Sequence, residues 1–227
     1  MGCARIALGA MLLGVCAWGA QASTFLLEEA GWQITGANAN ELGITVDTVD
    51  VDANGRKFVV IEISKEFVFG PDPQTQVIPS IVLAFTQIAE DADTATRIFI
   101  ADETVTNSTG VDWYDYHWIL MRHGVATFNR ELTAVGDGFR VDPFKQAQWH
   151  ANPNLDNEQL NVWDGKLNAG GVFFPGSGPG NLVIDVDTSP SRWVSFSFKQ
   201  LPTYIPEPAS AALLLFGAAA WLRKRRR

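Results

Sequence analysis

Cysteine and histidine are scarce in this chain, and each shortage removes a class of function. The only two cysteines, Cys3 and Cys16, lie at the start of the sequence, so no thiol occurs from residue 17 onward. A disulfide framework and a thiol nucleophile are therefore excluded for that part of the chain. The three histidines show neither the HExxH pattern nor another spacing typical of metal ligands.

Other catalytic signatures are missing as well. The sequence has no G-x-S-x-G nucleophile motif and no glycine-rich phosphate loop placed before a helix. Acidic residues are numerous, yet no pair stands out as the two opposed carboxylates of a glycosidase. We therefore expect no catalytic residues, and the sequence favours a non-enzymatic protein.

Basic residues are few outside the C-terminal end. Residues 23–206 contain 24 Asp or Glu and 11 Lys or Arg, a net charge of −13. Such a segment cannot bind nucleic acid by neutralising phosphates, so no nucleic-acid partner is expected. Its length suits one hydrophobic core, and it contains six of the eight tryptophans.

The N-terminal 22 residues have the pattern of a secretory signal peptide. Arg5 is followed by an apolar stretch from Ile6 to Trp18, and Ala20 and Ala22 form a small-x-small cleavage site. We expect an N-terminal signal helix over 1–22, cut after Ala22 by signal peptidase during export. A buried N-terminal helix and a lipoprotein cut at Cys16 are the alternatives.

The C-terminal segment combines a rigid kink, a short apolar stretch and a basic end. Pro206, Glu207 and Pro208 precede the uncharged residues 209–222. As a helix these fourteen residues would span about 21 Å, whereas the hydrocarbon core of a membrane is about 30 Å thick. Snorkelling side chains of the terminal cations must therefore extend the span. The cations that should remain in the cytoplasm are Arg223, Lys224, Arg225, Arg226 and Arg227.

Together these residues resemble a PEP-CTERM sorting signal. Pro206, Glu207 and Pro208 match the triplet of that family, and the transmembrane helix over 209–222 and the basic tail over 223–227 follow in its order. The resemblance covers only 205–227. It implies recognition by a membrane-embedded exosortase that cuts near the triplet, in bacteria that make extracellular polysaccharide. The alternative is an ordinary C-terminal anchor with an accidental triplet.

Alternating and β-branched residues dominate between the two tails. Residues 44–51 and 58–69, joined by the turn 52–55, predict a β-hairpin. The apolar residues of its first strand change face midway, which indicates a bulge or a position at a sheet edge. Further strands are expected over 77–88 (split or at an edge because of Pro79), 96–106, 112–123, 181–187 and 192–201. The fold class predicted is all-β, an antiparallel, jelly-roll-like β-sandwich.

One short helix and one long irregular excursion complete this prediction. Asp142 is a candidate cap and Pro143 suits the first turn, so a helix is expected up to His150, ending before Pro153. Residues 151–180 are rich in glycine and predict a loop. A loop on a rigid β scaffold is where a binding site would be expected.

Asp50, Asp52 and Asn54 allow two interpretations, a calcium site or a plain turn. These residues match the first half of a D-x-[DN]-x-[DN]-G loop, yet Ile61 stands where the pattern requires Glu. Strand patterns flank the segment where helices are needed. The turn is the favoured interpretation, and calcium is the alternative cofactor.

An aromatic strand offers the second candidate site. Tyr114, Tyr116 and Trp118 share one strand face, where their rings could stack on a sugar. The favoured alternative is that these rings fill the core. Trp149 and Trp163 are further candidate platforms.

These expectations define one exported protein in three parts: a signal peptide (1–22), a β-sandwich domain (23–203) and a sorting signal (204–227). The leading hypothesis is a surface or extracellular-matrix protein associated with extracellular polysaccharide. Its expected partners are export machinery, exosortase and the inner membrane, held through the C-terminal helix before processing. The alternative is a glycan-binding module or glycan-acting enzyme of lectin-like shape.

Overall fold

Two β-sheets pack face to face in the computed structural model. It describes residues 22–122, 124–136, 138–152, 157–177, 180–189 and 193–205. Ala22 lies at the exposed start of this range. The remainder of the predicted signal peptide, the Pro206–Glu207–Pro208 triplet, the helix over 209–222 and the basic tail all lie outside the described residues.

The first sheet has seven strands, all antiparallel to their neighbours. In spatial order they are β1 (Ser23–Leu27), β2 (Trp32–Ala37), β5 (Ile81–Gln87), β13 (Ser195–Thr203), β7 (Asp115–Met121), β10 (Asn157–Trp163) and β9 (Gln146–Asn152).

The second sheet has six strands. Its spatial order is β3 (Asn40–Val51), β4 (Lys57–Phe67), β6 (Arg97–Asn107), β12 (Leu182–Val186) and β8 (Ala126–Phe128), while β11 (Val172–Phe173) pairs with the far end of β6. The β4–β6 pair is parallel, which corrects the expectation of a purely antiparallel sandwich. The all-β sandwich class is confirmed.

The predicted hairpin is present as β3 and β4. Residues 52–55 form its turn, and Gly55 has a φ of 79°, a conformation that glycine adopts at little cost. The register shifts between Val46 and Thr48, where the apolar residues of β3 change face. The bulge predicted from that change is therefore confirmed.

The core lies between the sheets and is rich in aromatic rings. In and beside β13, Val194, Phe196 and Phe198 point inward as the alternation predicted. Phe196 stacks on Phe85 with ring centroids 4.7 Å apart. The Trp32 ring packs against Phe196 in an edge-to-face arrangement, with ring centroids 5.7 Å apart. Each such ring buries on the order of 150–250 Å², so these contacts hold the sheets together.

The predicted helix over 143–150 is wrong. Residues Gln146–Asn152 form an edge strand that pairs along its whole length with β10. Helix propensity is a weak preference, and the ladder together with the packing of Trp149 on Phe128 overrides it. The only α-helix within the described ranges is α1 (Arg130–Thr133), capped by the Asn129 side chain, which accepts from the Leu132 N–H.

Two other expectations are corrected. The loop predicted over 151–180 contains two strands, β10 and β11. In β10 every second side chain, Glu158, Leu160 and Val162, is buried in the core. The strand expected over 77–88 begins only at Ile81, after Pro79, and lies between β2 and β13 rather than at an edge. The proline therefore removes no hydrogen bond from the ladder.

Two short 3₁₀ turns, Glu28–Ala30 and Asp91–Asp93, connect strands at one end of the sandwich. None of the helices in the described part of the chain is long and apolar enough to cross a membrane.

Candidate functional site: a groove on the outer face of the second sheet

A groove of about 240 Å³ lies on the outer face of the second sheet. Strands β4 and β6 supply its floor. In β4, Val59 and Ile61 point into the core, so the period of two sends Phe58 and Val60 outward. In β6 the same alternation sends Phe99 outward beside Phe58.

The two outward phenylalanines form an aromatic floor. Their rings meet edge to face, with centroids 5.5 Å apart and planes at 80°. Both rings are half-buried, although the outer face of a sandwich sheet is usually polar. An apolar patch at such a position is a candidate binding surface, because neighbouring side chains leave it partly exposed to solvent.

The rim of the groove is polar, because Arg97, Asp52 and Asn181 line it beside the phenylalanines, and a network of charged groups holds Arg97 in place. Arg97 binds Asp185 in two-pronged fashion, through Nε to Oδ1 at 2.7 Å and Nη2 to Oδ2 at 3.1 Å. Arg56 Nη1 reaches the same Oδ1 at 3.1 Å, and Asn129 donates to Oδ2 at 2.8 Å. Through Asp185, side chains from distant segments of the chain thereby fix Arg97 beside the aromatic floor.

The Asp185 carboxylate that holds Arg97 is charged at neutral pH. Burial raises the pKa of Asp185, but hydrogen bonds from Arg97 and Asn129 and the charges of Arg97 and Arg56 outweigh it, so the pKa lies below its usual value. Asn181 also lines the groove. The site therefore presents an apolar floor beside fixed polar groups, an arrangement suited to a neutral, hydroxyl-rich ligand.

Asp52, one of the predicted calcium ligands, belongs to this rim. Its Oδ2 lies 3.7 Å from Arg97 Nη1, while its Oδ1 accepts the backbone N–H groups of Asn54 at 2.9 Å and Arg56 at 3.0 Å. These hydrogen bonds, led by the one from Arg56, lower the pKa of Asp52. Its carboxylate thus holds the β3–β4 turn.

Asp50, a second calcium candidate, bonds to its own neighbour. Asp50 Oδ1 accepts the N–H of its neighbour Val51 at 2.7 Å. Among the residues that the structure describes, no group of three or more His, Cys, Asp or Glu side chains is placed to hold a metal. The turn prediction is confirmed, and calcium binding by Asp50, Asp52 and Asn54 stays a prediction.

The aromatic face predicted as a sugar platform lies mostly in the core. Tyr116 and Trp118 are both 0 % exposed, so a sugar cannot reach them, and their assignment to a glycan site was wrong. The alternative interpretation, that these rings fill the core, is confirmed for them. Tyr114 is half-buried and lies under Lys166, whose Nζ is 6.0 Å from the ring centroid.

A second depression, of about 380 Å³, lies beside Lys166 in the predicted excursion. Lys166 pairs with Asp112 at 2.7 Å, and the Phe174 ring is 51 % exposed at the margin. Loop residues form most of its lining, whereas the groove on β4 and β6 has a floor of paired strands. Rigid strands position binding groups better than loops, so the groove is the stronger candidate.

On the outer face of the first sheet, His117 lies between two polar side chains. His117 Nε2 lies 3.2 Å from Asp115 Oδ1, and Nδ1 lies 2.7 Å from Asn161 Oδ1. Burial lowers the pKa of His117, but hydrogen bonds to Asp115 and Asn161 and the charge of Asp115 outweigh it, so the pKa is raised. A folded-state pKa above the unfolded value of 6.5 stabilises the fold at low pH. This contribution is lost as the pH rises through the folded pKa.

Sequence reasoning missed the groove. Both faces of residues 58–61 are apolar, which indicates a strand with a non-polar outer surface. Phe99 is likewise an apolar residue on the outer face of the neighbouring strand β6. The pairing of β4 with β6 could not be read from the sequence, so nothing placed Phe58 beside Phe99.

Comparison of the chain with protein-family models, with curated proteins and with solved structures finds no match. The structure defines an all-β sandwich with a groove on one outer face.

Proposed function

We propose that this chain is an exported surface or extracellular-matrix protein, sorted by a PEP-CTERM tail and without enzymatic activity. The observation that carries the proposal is the order of features at the C-terminus: Pro206–Glu207–Pro208, then apolar residues, then five cations. The signal-peptide pattern over 1–22 gives the matching export route. The domain between them is proposed to be a jelly-roll-like sandwich that functions outside the cytosol.

The path of the chain out of the domain supports this proposal. The last strand, β13, ends at Thr203, and Ile205 is 63 % exposed. The backbone thus reaches the surface immediately before the triplet. Prolines on both sides of Glu207 disfavour helix and favour an extended chain, the form in which proteases bind substrates. Exosortase is therefore proposed to reach the triplet without unfolding the sandwich.

The test measures the intact mass of the cell-associated and released forms in a host that has exosortase. The wild-type protein should lose residues 1–22 and the segment after the triplet. Glu207→Ala should keep its C-terminal segment and stay in the membrane fraction, while Pro73→Ala, in an exposed loop, should be processed normally. Full-length wild-type protein with both ends intact in the cytosol would refute the proposal.

Glycan binding is a second candidate function, and the groove on β4 and β6 supports it. Sugar rings have apolar C–H faces that can stack on Phe58 and Phe99, and hydroxyl groups that can bond to Arg97, Asp52 and Asn181. The apolar floor and the polar rim lie within one depression of about 240 Å³. We propose extracellular polysaccharide as the ligand class.

Calorimetric titration with matrix polysaccharide tests this second function. Wild-type protein should give a saturable heat, and Phe99→Ala should weaken binding at least tenfold, about 1.4 kcal/mol. Phe174→Ala removes an equally aromatic and more exposed side chain from the other depression and should bind like wild type. Circular dichroism verifies that both variants fold. An absent heat, or an equal loss in Phe174→Ala, would exclude the groove.

A further inference from the structure

A cluster of polar side chains lies in the core between the two sheets. Lys65 in β4 is 2 % exposed and Glu103 in β6 is 3 % exposed. Both point toward the first sheet, where Gln200 in β13 and Tyr116 and Trp118 in β7 are 0 % exposed. None of the functions proposed above uses these groups.

The carboxylate of Glu103 is the centre of the cluster. Its Oε1 accepts hydrogen bonds from Lys65 Nζ and from Gln200 Nε2, the latter at 2.7 Å. Its Oε2 accepts from Trp118 Nε1 at 2.9 Å. Two hydrogen bonds to one oxygen place the lysine and glutamine nitrogens within about 6 Å of each other.

The carbonyl of Gln200 is held from the other side. Tyr116 donates its hydroxyl proton to Gln200 Oε1 at 2.6 Å. An amide carbonyl that accepts such a hydrogen bond is polarised, and its carbon is more open to attack by a nucleophile. The side chains thus present an amine, a polarised carboxamide and a carboxylate that touches both nitrogens.

Noncovalent stability does not require such a cluster. Burying two charges costs several kcal/mol each, and apolar residues of similar volume often stabilise a core as well or better. Burial also lowers the pKa of Lys65, against the attraction of Glu103, and burial raises the pKa of Tyr116. A lysine with a lowered pKa is a better nucleophile, and a tyrosine with a raised pKa keeps its proton as a donor.

We propose that Lys65 and Gln200 form an intramolecular isopeptide bond, with Glu103 as the group that transfers the proton. The bond would join β4 of one sheet to β13 of the other. It would provide a covalent link through the sandwich in a sequence that has no cysteine after residue 16.

The reaction balances without an oxidant or a further reactant. Glu103 Oε1 takes a proton from the Lys65 ammonium, and the Nζ lone pair that this frees attacks Gln200 Cδ. The same oxygen passes that proton to Gln200 Nε2, the Cδ–Nε2 bond breaks, and ammonia leaves. Nζ, now an amide nitrogen, gives its surplus proton to the Glu103 carboxylate. One amide replaces another. During the reaction Tyr116 stabilises the negative charge that develops on Gln200 Oε1.

The protein environment favours the forward reaction. The three reacting groups are held by paired strands, which replaces an encounter between free reactants by a fixed geometry. The site is closed to solvent, so water cannot hydrolyse the new amide. The cross-link requires neither sorting nor glycan binding, since it lies in the interior of the domain.

Mass spectrometry of the purified full chain tests the proposal. The wild-type protein should be lighter than its processed sequence by one ammonia. After trypsin digestion, the peptide 58–97 should remain uncut at Lys65 and be joined to the peptide that begins at Gln200. Separate peptides with unchanged mass would overturn the proposal. A loss of one water between Lys65 and Glu103 would overturn the assignment of Gln200, and an ammonia loss at another position would also contradict it.

Variants then test the roles of the groups. Glu103→Gln should abolish the cross-link because the proton acceptor is gone, and Lys65→Arg should abolish it because a guanidinium is not nucleophilic. Lys199→Arg, which changes the neighbouring lysine on the outer face of β13, should cross-link like wild type. Full cross-linking in Glu103→Gln would refute the proposed role of Glu103. The wild-type mass decides the central claim even if a core variant fails to fold.

Discussion

Trp118→Ala is expected to destabilise the domain by at least about 4 kcal/mol. The ring is 0 % exposed and packs against Tyr116, Phe139 and Phe173, with ring centroids 4.8, 5.8 and 6.0 Å away. Truncating a large buried aromatic side chain to Ala costs about 3–5 kcal/mol. The variant also removes the Nε1–H donor to Glu103, and an unsatisfied buried acceptor costs about 1–3 kcal/mol more.

Chemical denaturation followed by circular dichroism measures this effect. Trp163→Ala is the matched control, because it removes the same side chain from the neighbouring strand β10, where the ring is 38 % exposed. That variant should lose less than about 1 kcal/mol. Domains are stable by about 5–15 kcal/mol in total, so Trp118→Ala should unfold at a much lower denaturant concentration. Equal unfolding midpoints for the two variants would refute the burial argument.

Three further predictions concern local contacts. Asp115→Asn should lower the pKa of His117 in an NMR titration, because an opposite charge is removed; an unchanged pKa would contradict the proposed pairing. Asp52→Ala should lower the free energy of unfolding by about 1 kcal/mol in a thermal melt, since two backbone N–H groups lose their acceptor. In the same assay, chelator should change the melting temperature of the wild-type protein only if calcium binds. Gly180→Ala should destabilise strongly in the same assay, because a Cβ there would lie 2.0 Å from the Gly138 carbonyl carbon.

The strands with clear alternation could be predicted from sequence because their signal is local. The inward row of β13 and the β3–β4 hairpin with its bulge follow from a period of two and from turn residues. In each case neighbouring positions along the chain contain the information. A turn that needs positive φ selects glycine at position 55 whatever surrounds it.

The helix expected at 143–150 shows where local reasoning fails. Its cap and breaker residues are genuine local signals, yet the segment 146–152 gains more by pairing with β10 and by packing Trp149 on Phe128. Strand pairing is decided by what lies opposite, which the sequence pattern of one segment does not contain.

By itself, the sequence determined the all-β class, the acidic character of the region between the two ends, and the residue patterns at both ends from which export and sorting are proposed. Tertiary structure alone decided that Tyr116 and Trp118 are core residues, that Phe58 and Phe99 form a groove, and that Lys65, Glu103 and Gln200 meet. The physical reason is separation along the chain: Glu103 and Gln200 are 97 residues apart, and only the packing of two sheets brings their side chains within hydrogen-bonding distance.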